Sequence, residues 1–373
     1  MISSVNSIDI VTLSRNDYQE CSEFLAFIYN RTEKFWLDRF NFIWDQNPAF
    51  SETHERGFVL KDQMKIVGFI GKFPTKFLLA GKEGIAWNGT GLAIHPAYRK
   101  MGLGKKIRSM HFESCKDSIL FATSAANITQ KINLALGFKK IPHNIGAKSV
   151  AAIFPVNSSY HFILLKEFLF CNYTNITPTL KHVTGIRKLL KFNNDNAASS
   201  KNMIKPILTP GVEVDILWAQ KKNENAYTNI RTSDVLSWYL VPCEGLKKYL
   251  LGIYNNDNSL VGYVLVKKCG FNNFSVLVIA DVWIKYKYFT FETIISVLRN
   301  IYQYYTDETT ASIIYPVYHH NEYELLKANC FSANYRNDSY VDQSGKFELT
   351  SNNHYLTFNQ GDKLLVKDYN IYQ

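Results

Sequence analysis

The sequence predicts an α/β (α+β) protein made of two tandem domains that share one plan. Three observations carry this expectation. At 373 residues the chain exceeds what one hydrophobic core usually organises. Its hydrophobic fraction of 46% is that of a globular protein rather than a disordered one. The order hairpin, strand, turn, helix, strand, helix can be read once in each half, a period far too long for a solenoid.

In the first half a Trp/Pro segment, from Phe35 and Trp36 to Asn47 and Pro48, precedes a hairpin. The hairpin strands are residues 57–62 and 65–71, turning around Gln63 and Met64. A strand through Gly91, Leu92, Ala93 and Ile94 ends at His95 and Pro96. A helix follows, with Leu103, Ile107, Met110 and Ser114 spaced to share one face. Residues 119–124 read as the next strand. Asn127 then opens a helix that ends at Leu136, Gly137 and Phe138. Residues 148–154 read as the last strand of this domain, which is placed at 1–155. Helical turns are expected over 160–170 and 181–192, and the polar, breaker-rich run 193–202 reads as exposed linker. The whole connection is taken as 156–205 and the second domain as 206–373.

The second half repeats the order. Residues 238–242 precede a hairpin whose strands are 249–254 and 260–266, with Asn255, Asn256, Asp257 and Asn258 at the turn. A strand over 275–280, an amphipathic helix over 291–302, a strand over 311–315 and a helix ending at Phe331 complete it. Asn329, Cys330 and Phe331 fall where Leu136, Gly137 and Phe138 fall in the first copy.

The most informative stretch is the turn after Ile94. A strand ends, a glycine-bearing turn follows and a helix begins, so free backbone N–H groups and the helix dipole converge on one point. Gly102 and Gly104 remove side chains that would block close approach, and Arg99, Lys100, Lys105 and Lys106 add positive charge. The ligand this implies is a phosphate or pyrophosphate. No Gly-Lys-Ser/Thr ends the turn and no G-x-G-x-x-G is present, which excludes a Walker loop and a dinucleotide fingerprint.

Arg99, Gly102 and Gly104 together resemble the R/Q-x-x-G-x-G/A signature of the GNAT family of acyl-CoA-dependent N-acyltransferases. The hairpin upstream, and Asn127 with Leu136-Gly137-Phe138 downstream, resemble the elements that flank that signature. The resemblance covers residues 57–140, and the second half only as a degenerate echo. It implies two tandem GNAT-like domains, each a mixed, mostly antiparallel sheet with a splayed central pair flanked by helices. It also implies acetyl-CoA, or another acyl-CoA, as co-substrate, bound by Leu92, Ala93, Ile94, Arg99, Lys100, Met101, Gly102, Leu103, Gly104, Lys105 and Asn127. The reaction it implies is direct acyl transfer to the primary amine of a small molecule, an amino sugar among the candidates. A Fem-like transferase using charged tRNA and a non-catalytic CoA-binding module are the rival readings.

The second copy departs at the decisive point. Tyr286, Tyr288 and Phe289 occupy its turn and no glycine is present there, so the second domain is not expected to bind coenzyme A. Family members often carry a tyrosine acid in the helix before Leu-Gly-Phe; the matching position here is Asn133, which cannot donate that proton. For the base, Glu83 or a water held by Asn88 and Thr90 is the candidate. His95 and His111 read as structural, and Trp36, Trp44 and Trp87 are candidate walls of an acceptor pocket.

Composition narrows the partners. The formal net charge of +10 suits a polyphosphate cofactor, and nucleic acid is not favoured. Six scattered cysteines form no C-x-x-C pair or metal-ligand spacing, so no metal is expected and a reduced, cytoplasmic setting suits them. No apolar run approaches the roughly 20 residues that span a bilayer, and the first residues do not read as a signal peptide.

Overall fold

A computed structural model describes residues 8–123, 127–140, 149–157, 159, 202–243, 246–271, 273–316, 318, 322, 332–335, 340–342, 349 and 354–356. The expected helical turns over 160–170 and 181–192, the linker 193–202 up to its last residue and the end of the helix at Phe331 lie outside these residues.

The first half supplies β1 (Ile8–Thr12), α1 (Tyr18–Tyr29), α2 (Glu33–Phe40), a π-helical turn (Asn41–Asp45), β2 (Gly57–Asp62), β3 (Lys65–Leu79), β4 (Lys82–Ile94), α3 (Leu103–Glu113), β5 (Leu120–Ala122), α4 (Asn127–Ala135), β6 (Lys139–Lys140) and β7 (Ser149–Pro155). The second half supplies β8 (Met203–Pro206), α5 (Val212–Lys221), β9 (Tyr227–Asn229), α6 (Ser233–Leu240), β10 (Lys247–Tyr254), β11 (Leu260–Phe271), β12 (Phe274–Ile284), α7 (Phe291–Tyr305), β13 (Thr310–Pro316), β14 (Ser332–Tyr335), β15 (Tyr340–Asp342) and β16 (His354–Tyr355). Local chemistry sets the boundaries. The Thr32 hydroxyl caps α2 by accepting from the Phe35 amide at 3.1 Å, and Thr290 caps α7 through the Thr293 amide at 3.2 Å. Helix α7 buries Ile294, Val297, Leu298 and Ile301, a stripe at helical spacing.

Two mixed sheets result. The first runs β1-β2-β3-β4-β5-β15-β6, with β9 added to the far end of β3 and β16 paired to β9. The second runs β14-β7-β13-β12-β11-β10-β8. One expectation is corrected here. Ser149–Pro155 does not close the first sheet; it pairs antiparallel with β13 and β14 in the second. The converse holds for Tyr340–Asp342, which lies between β5 and β6 of the first sheet. Each sheet therefore borrows strands from the other half of the chain. Periodicity marks a strand but does not say which edge it joins, so this exchange is invisible in sequence.

The shared plan is visible in matching backbone bonds. The His95 amide donates to the Val67 carbonyl at 2.9 Å, and the Lys285 amide donates to the Val261 carbonyl at 2.9 Å. Strands β4 and β12 each carry a bulge against their antiparallel neighbour, and each pairs with a parallel strand over only part of its length. In the second sheet the open part is plugged from within. The Tyr318 hydroxyl donates to the Ile279 carbonyl at 2.7 Å, and the Tyr355 hydroxyl donates to the Val282 carbonyl at 2.7 Å. Backbone acceptors that an added strand would need are already taken.

The two halves pack as one. Trp238 stacks on Phe42 with ring centroids 4.8 Å apart, and its indole N–H donates to the Phe42 carbonyl at 2.7 Å. Arg231 follows β9 at the edge of the first sheet and forms a fully buried fork with Asp281 on β12, at 3.0 and 3.1 Å. The Tyr263 hydroxyl donates to the same carboxylate at 2.7 Å. Removing one partner of such a pair strands the other charge, at a cost of about 3–5 kcal/mol. Asp281→Ala is expected to lower the unfolding free energy by that amount in urea titrations followed by circular dichroism. A loss below about 1 kcal/mol would contradict the role given to this pair.

Candidate functional site

The site is built by the way β4 leaves its neighbours. Strand β4 pairs with β5 only at Trp87 with Leu120 and Asn88 with Phe121. Beyond Asn88 the two strands separate. On its other side β4 stays on β3, but Phe69 faces Ala93 while Gly71 faces Thr90, so the extra residue sits at Gly91 and Leu92. Gly91 has φ of 68°, a left-handed conformation that favours glycine. A bulge bends and twists its strand, which turns the edge from Thr90 to Ile94 away from β5. Sequence reading missed the bulge. The signal was present as Gly89 and Gly91 inside a strand pattern.

At the end of this edge the chain makes the expected turn. Lys100 and Gly102 both have positive φ, at 67° and 77°, and Gly102 caps α3. The Gly102 carbonyl accepts the Lys105 and Lys106 amides at 3.1 Å each, so the amides of Leu103 and Gly104 precede the first helical bonds. A Cβ placed on Gly104 would meet only Ile94 and Ile132, at 3.7 and 3.8 Å, which is ordinary contact. Neither backbone nor packing asks for glycine there, although it costs about 1 kcal/mol relative to alanine inside a helix. The bare first turn of α3 leaves room for a ligand to approach its amides closely. Lys100, Lys105 and Lys106 are exposed around the turn, and the Arg99 Nε donates to the Ile94 carbonyl at 3.2 Å, pinning the turn to the strand end. Asn127 is the first residue of α4, as expected.

The two faces of the splayed segment differ. On the α2 face, the Arg39 guanidinium donates to the Thr90 hydroxyl at 2.8 Å, and Asn88 donates to the Thr75 hydroxyl at 3.1 Å. The Tyr29 hydroxyl donates to the Leu92 carbonyl at 3.0 Å. Nothing in the sequence pointed to Tyr29 or Arg39, because their nearness to β4 is purely tertiary. On the α3 face, a Cβ on Gly89 would meet Arg108 Nη1 at 2.9 Å and His111 Cε1 at 3.0 Å. Arg108 is buried, donates through Nε to Asn133 Oδ1 at 2.8 Å and lies over the Phe138 ring. Asn133 thus anchors a buried guanidinium, a role the sequence did not suggest.

Several expected residues sit elsewhere. Glu83 belongs to the start of β4, exposed, with Lys222 at 3.3 Å. It stands nine residues before Leu92, ~30 Å along the strand. A base at Glu83 would therefore stand a strand's length from a thioester held beside Leu92. Trp44 is core, its N–H on the Lys72 carbonyl at 2.7 Å. Trp87 faces the α3 side with Phe112, Cys115 and Phe138 and lines no pocket on the α2 face. Trp36 is buried beside Tyr29 and Phe40. Met110 is 40% exposed, so the buried stripe of α3 is Leu103, Ile107, Arg108 and His111 rather than the expected one. His95 caps the turn by accepting the Ala97 amide at 3.3 Å, as a structural residue would.

His111 is completely buried. Its Nδ1 lies against Arg108 Nη1, which can only donate, so Nδ1 accepts and Nε2 carries the hydrogen. Among the described residues that Nε2 has no partner. Burial, then the charges of Arg108 and Lys72, hold its pKa well below the usual histidine value of 6.5. No group of histidine, cysteine and carboxylate side chains able to hold a metal occurs among the described residues, and no described helix is long and apolar enough to cross a membrane.

Comparison with known proteins agrees with this geometry. Residues 16–134 match the family model described as Acetyltransferase (GNAT) family. No curated protein matches the chain. Among solved structures, a GCN5-related N-acetyltransferase from Anabaena variabilis is similar over 90% of this chain and 73% of its own, with a TM-score of 0.59 and 11% identity. A probable N-acyltransferase from Enterococcus faecalis is similar over 90% and 72%, with a TM-score of 0.57 and 10% identity. Saccharomyces cerevisiae N-myristoyltransferase with bound myristoyl-CoA is similar over 91% and 83%, with a TM-score of 0.51 and 11% identity. At these identities the likeness is one of fold, and it extends through both sheets.

Two outcomes follow from the geometry. Gly104→Asp places a carboxylate at the first turn of α3 and is expected to weaken coenzyme A binding at least tenfold by calorimetry, a change of about 1.4 kcal/mol. Unchanged affinity in a folded variant would contradict the cradle. Because the folded pKa of His111 is depressed, its contribution to stability is complete above the unfolded value of about 6.5 and is lost as pH falls below it, by up to ~1.4 kcal/mol per pH unit. Urea midpoints of the unaltered protein should fall faster than those of His111→Gln between about pH 6.5 and about pH 5. Parallel curves would contradict this.

Proposed function

We propose, from the premise that residues 16–134 form a domain of the acetyltransferase (GNAT) family, that the protein transfers an acetyl or other short acyl group from coenzyme A to the primary amine of a small molecule. The observation that carries this reading is the succession, along one strand and its turn, of the edge from Thr90 to Ile94 that has left β5 and the helix start at Gly102 to Gly104. The coenzyme supplies an acyl group already activated as a thioester. The chain has to hold that thioester, polarise its carbonyl, bring the amine to it and keep water away.

Each task has residues suited to it. The first turn of α3 takes the pyrophosphate on its amides, with Lys100 and Lys105 beside it. The edge through Leu92, Ala93 and Ile94 takes the pantetheine arm as an added strand. A backbone donor at the bulge holds the oxyanion, an interaction worth on the order of 3 kcal/mol where one such donor has been removed elsewhere. The amine approaches from the α2 face, past Asn88, Thr90 and Arg39, because the α3 face behind Gly89 is filled by Arg108 and His111. The same filling leaves little depth beyond the last β4–β5 pair and favours a short acyl group.

No tyrosine lies between Asn127 and Phe138, so no phenolic acid is supplied from α4. The departing thiolate has an ordinary thiol pKa of about 8.5 and takes the proton released by the amine. Free amine is then the limiting species. A Fem-like use of charged tRNA fits less well, since it leaves the glycine-flanked turn without purpose.

Thiol release from acetyl-CoA with a panel of small amines tests this reading; amine-dependent release is expected, and its absence across the panel would overturn it. The rate at saturating acetyl-CoA should rise with pH towards the acceptor's own pKa. Asn133→Ala should lower stability through Arg108 but keep turnover within about threefold, a barrier change under roughly 0.7 kcal/mol. An alkaline limb that disappears on replacing a single tyrosine would show a phenolic acid at work and contradict the proton route.

A further inference from the structure

The bulge of β4, Gly91 and Leu92, lies between the pairs Thr90–Gly71 and Ala93–Phe69. Side chains from two helices grip it at both ends. Before it, the Arg39 guanidinium donates to the Thr90 hydroxyl at 2.8 Å. At its far end, the Tyr29 hydroxyl donates to the Leu92 carbonyl at 3.0 Å. The two grips meet on one ring. Tyr29 packs against Trp36 with ring centroids 5.3 Å apart, and the Arg39 guanidinium lies 5.6 Å from the centre of the same side chain's ring. Phe69 forms the floor, since a Cβ on Gly91 would meet its ring at 3.0 Å.

Local structure delivers each part. On α1, Tyr29 continues at helical spacing the buried stripe of Cys21 and Leu25. The helix stops just after it, at Asn30, whose φ of 51° is left-handed and whose amide donates to the Ala26 carbonyl. On α2, Trp36 and Arg39 stand at a spacing that makes them neighbours on one face. Trp36 is buried, so the indole that both grips share is fixed by packing.

The grip bears on the donor that the chemistry uses. Ala93 faces Phe69 on β3, and the His95 amide donates to the Val67 carbonyl there. By the alternation of a strand, Leu92 and Ile94 then turn their own N–H and C=O groups to the edge that has left β5. The bonds from Tyr29 to the Leu92 carbonyl and from Arg99 to the Ile94 carbonyl agree with this. Leu92 thus offers that edge an N–H at the bulge. We propose that Tyr29, Trp36 and Arg39 are positioning residues that clamp the bulge and keep the Leu92 N–H aimed at the thioester carbonyl. The proposal deepens the acyltransferase reading and rests on it for the place of the thioester. A fixed donor stabilises an oxyanion because it needs no reorganisation as charge develops. A bulge without the clamp would let that donor swing, and a misplacement of about 1 Å can cost about a hundredfold in rate. A carbonyl oxygen accepts two bonds, so Tyr29 leaves the edge open to the pantetheine arm.

Tyr29→Phe removes the hydroxyl and keeps the ring beside Trp36, so the variant should fold. At saturating acetyl-CoA and amine its kcat is expected to fall about tenfold, with KM for acetyl-CoA and calorimetric affinity for coenzyme A within about twofold of the unaltered protein. The loss should be the same at every pH, since the phenol moves no proton. Arg39→Met should also lower kcat, and the double variant should lose less than the product of the two single losses, because both side chains hold one bulge. By nuclear spin relaxation, the Leu92 amide should be as rigid as the paired part of β4 in the unaltered protein and mobile in Tyr29→Phe. An unchanged kcat, a loss that varies with pH, fully multiplicative losses or a Leu92 amide of unchanged rigidity would overturn the proposal. Should no amine release thiol while Tyr29→Phe frees the Leu92 amide, the acyltransferase reading fails and the clamp on the bulge stands.

Discussion

The separation of β4 from β5 is the constraint on which the rest of the site depends. Two parallel strands that stayed paired beyond Asn88 would satisfy each other's backbone and leave nothing for a ligand. The bulge at Gly91 prevents this, and it does so while β4 remains bonded to β3. Bending the strand costs a residue held at positive φ and a gap in the ladder. The core offsets this, since Phe69, Ala93 and the aromatic stack of α1 and α2 pack directly beneath. The turn at Gly102 then stands in line with the opened edge because β4 runs into it without interruption.

The second sheet shows the same constraint with the opened strand tied down by buried groups, where Tyr29 and Arg99 reach the Leu92 and Ile94 carbonyls of the first from the surface. Strand β12 also carries a bulge and also leaves its parallel neighbour. There the freed carbonyls receive the hydroxyls of Tyr318 and Tyr355, and the buried Arg231–Asp281 fork ties the strand to the edge of the first sheet. The opened strand of the second sheet is a structural joint. Strand exchange through β7 and β15 reinforces it, since neither sheet is complete without the other half of the chain.

Much of this was legible in the sequence, and what was not has physical causes. Gly102 and Gly104 among basic residues marked the helix start because the conformational demands of a turn are local. Hairpins and the amphipathic α7 were legible because period and turn chemistry are local too. Tyr29, Arg39 and Arg108 were not, since each acts by reaching across to another element. The place of Glu83 at the far end of β4 was not legible either, because nearness in sequence does not say where along a strand a carboxylate stands. Ser149–Pro155 was assigned to the wrong sheet because alternation specifies a strand without specifying its partner.

Amide hydrogen exchange with and without coenzyme A tests the central claim most directly, since it reads backbone bonds strand by strand. Added coenzyme should slow exchange at Leu92, Ala93 and Ile94 and at Leu103 to Lys105, and leave Val282 to Ile284 and the turn at 286–288 unchanged. Protection confined to β12, or none along β4, would contradict the account.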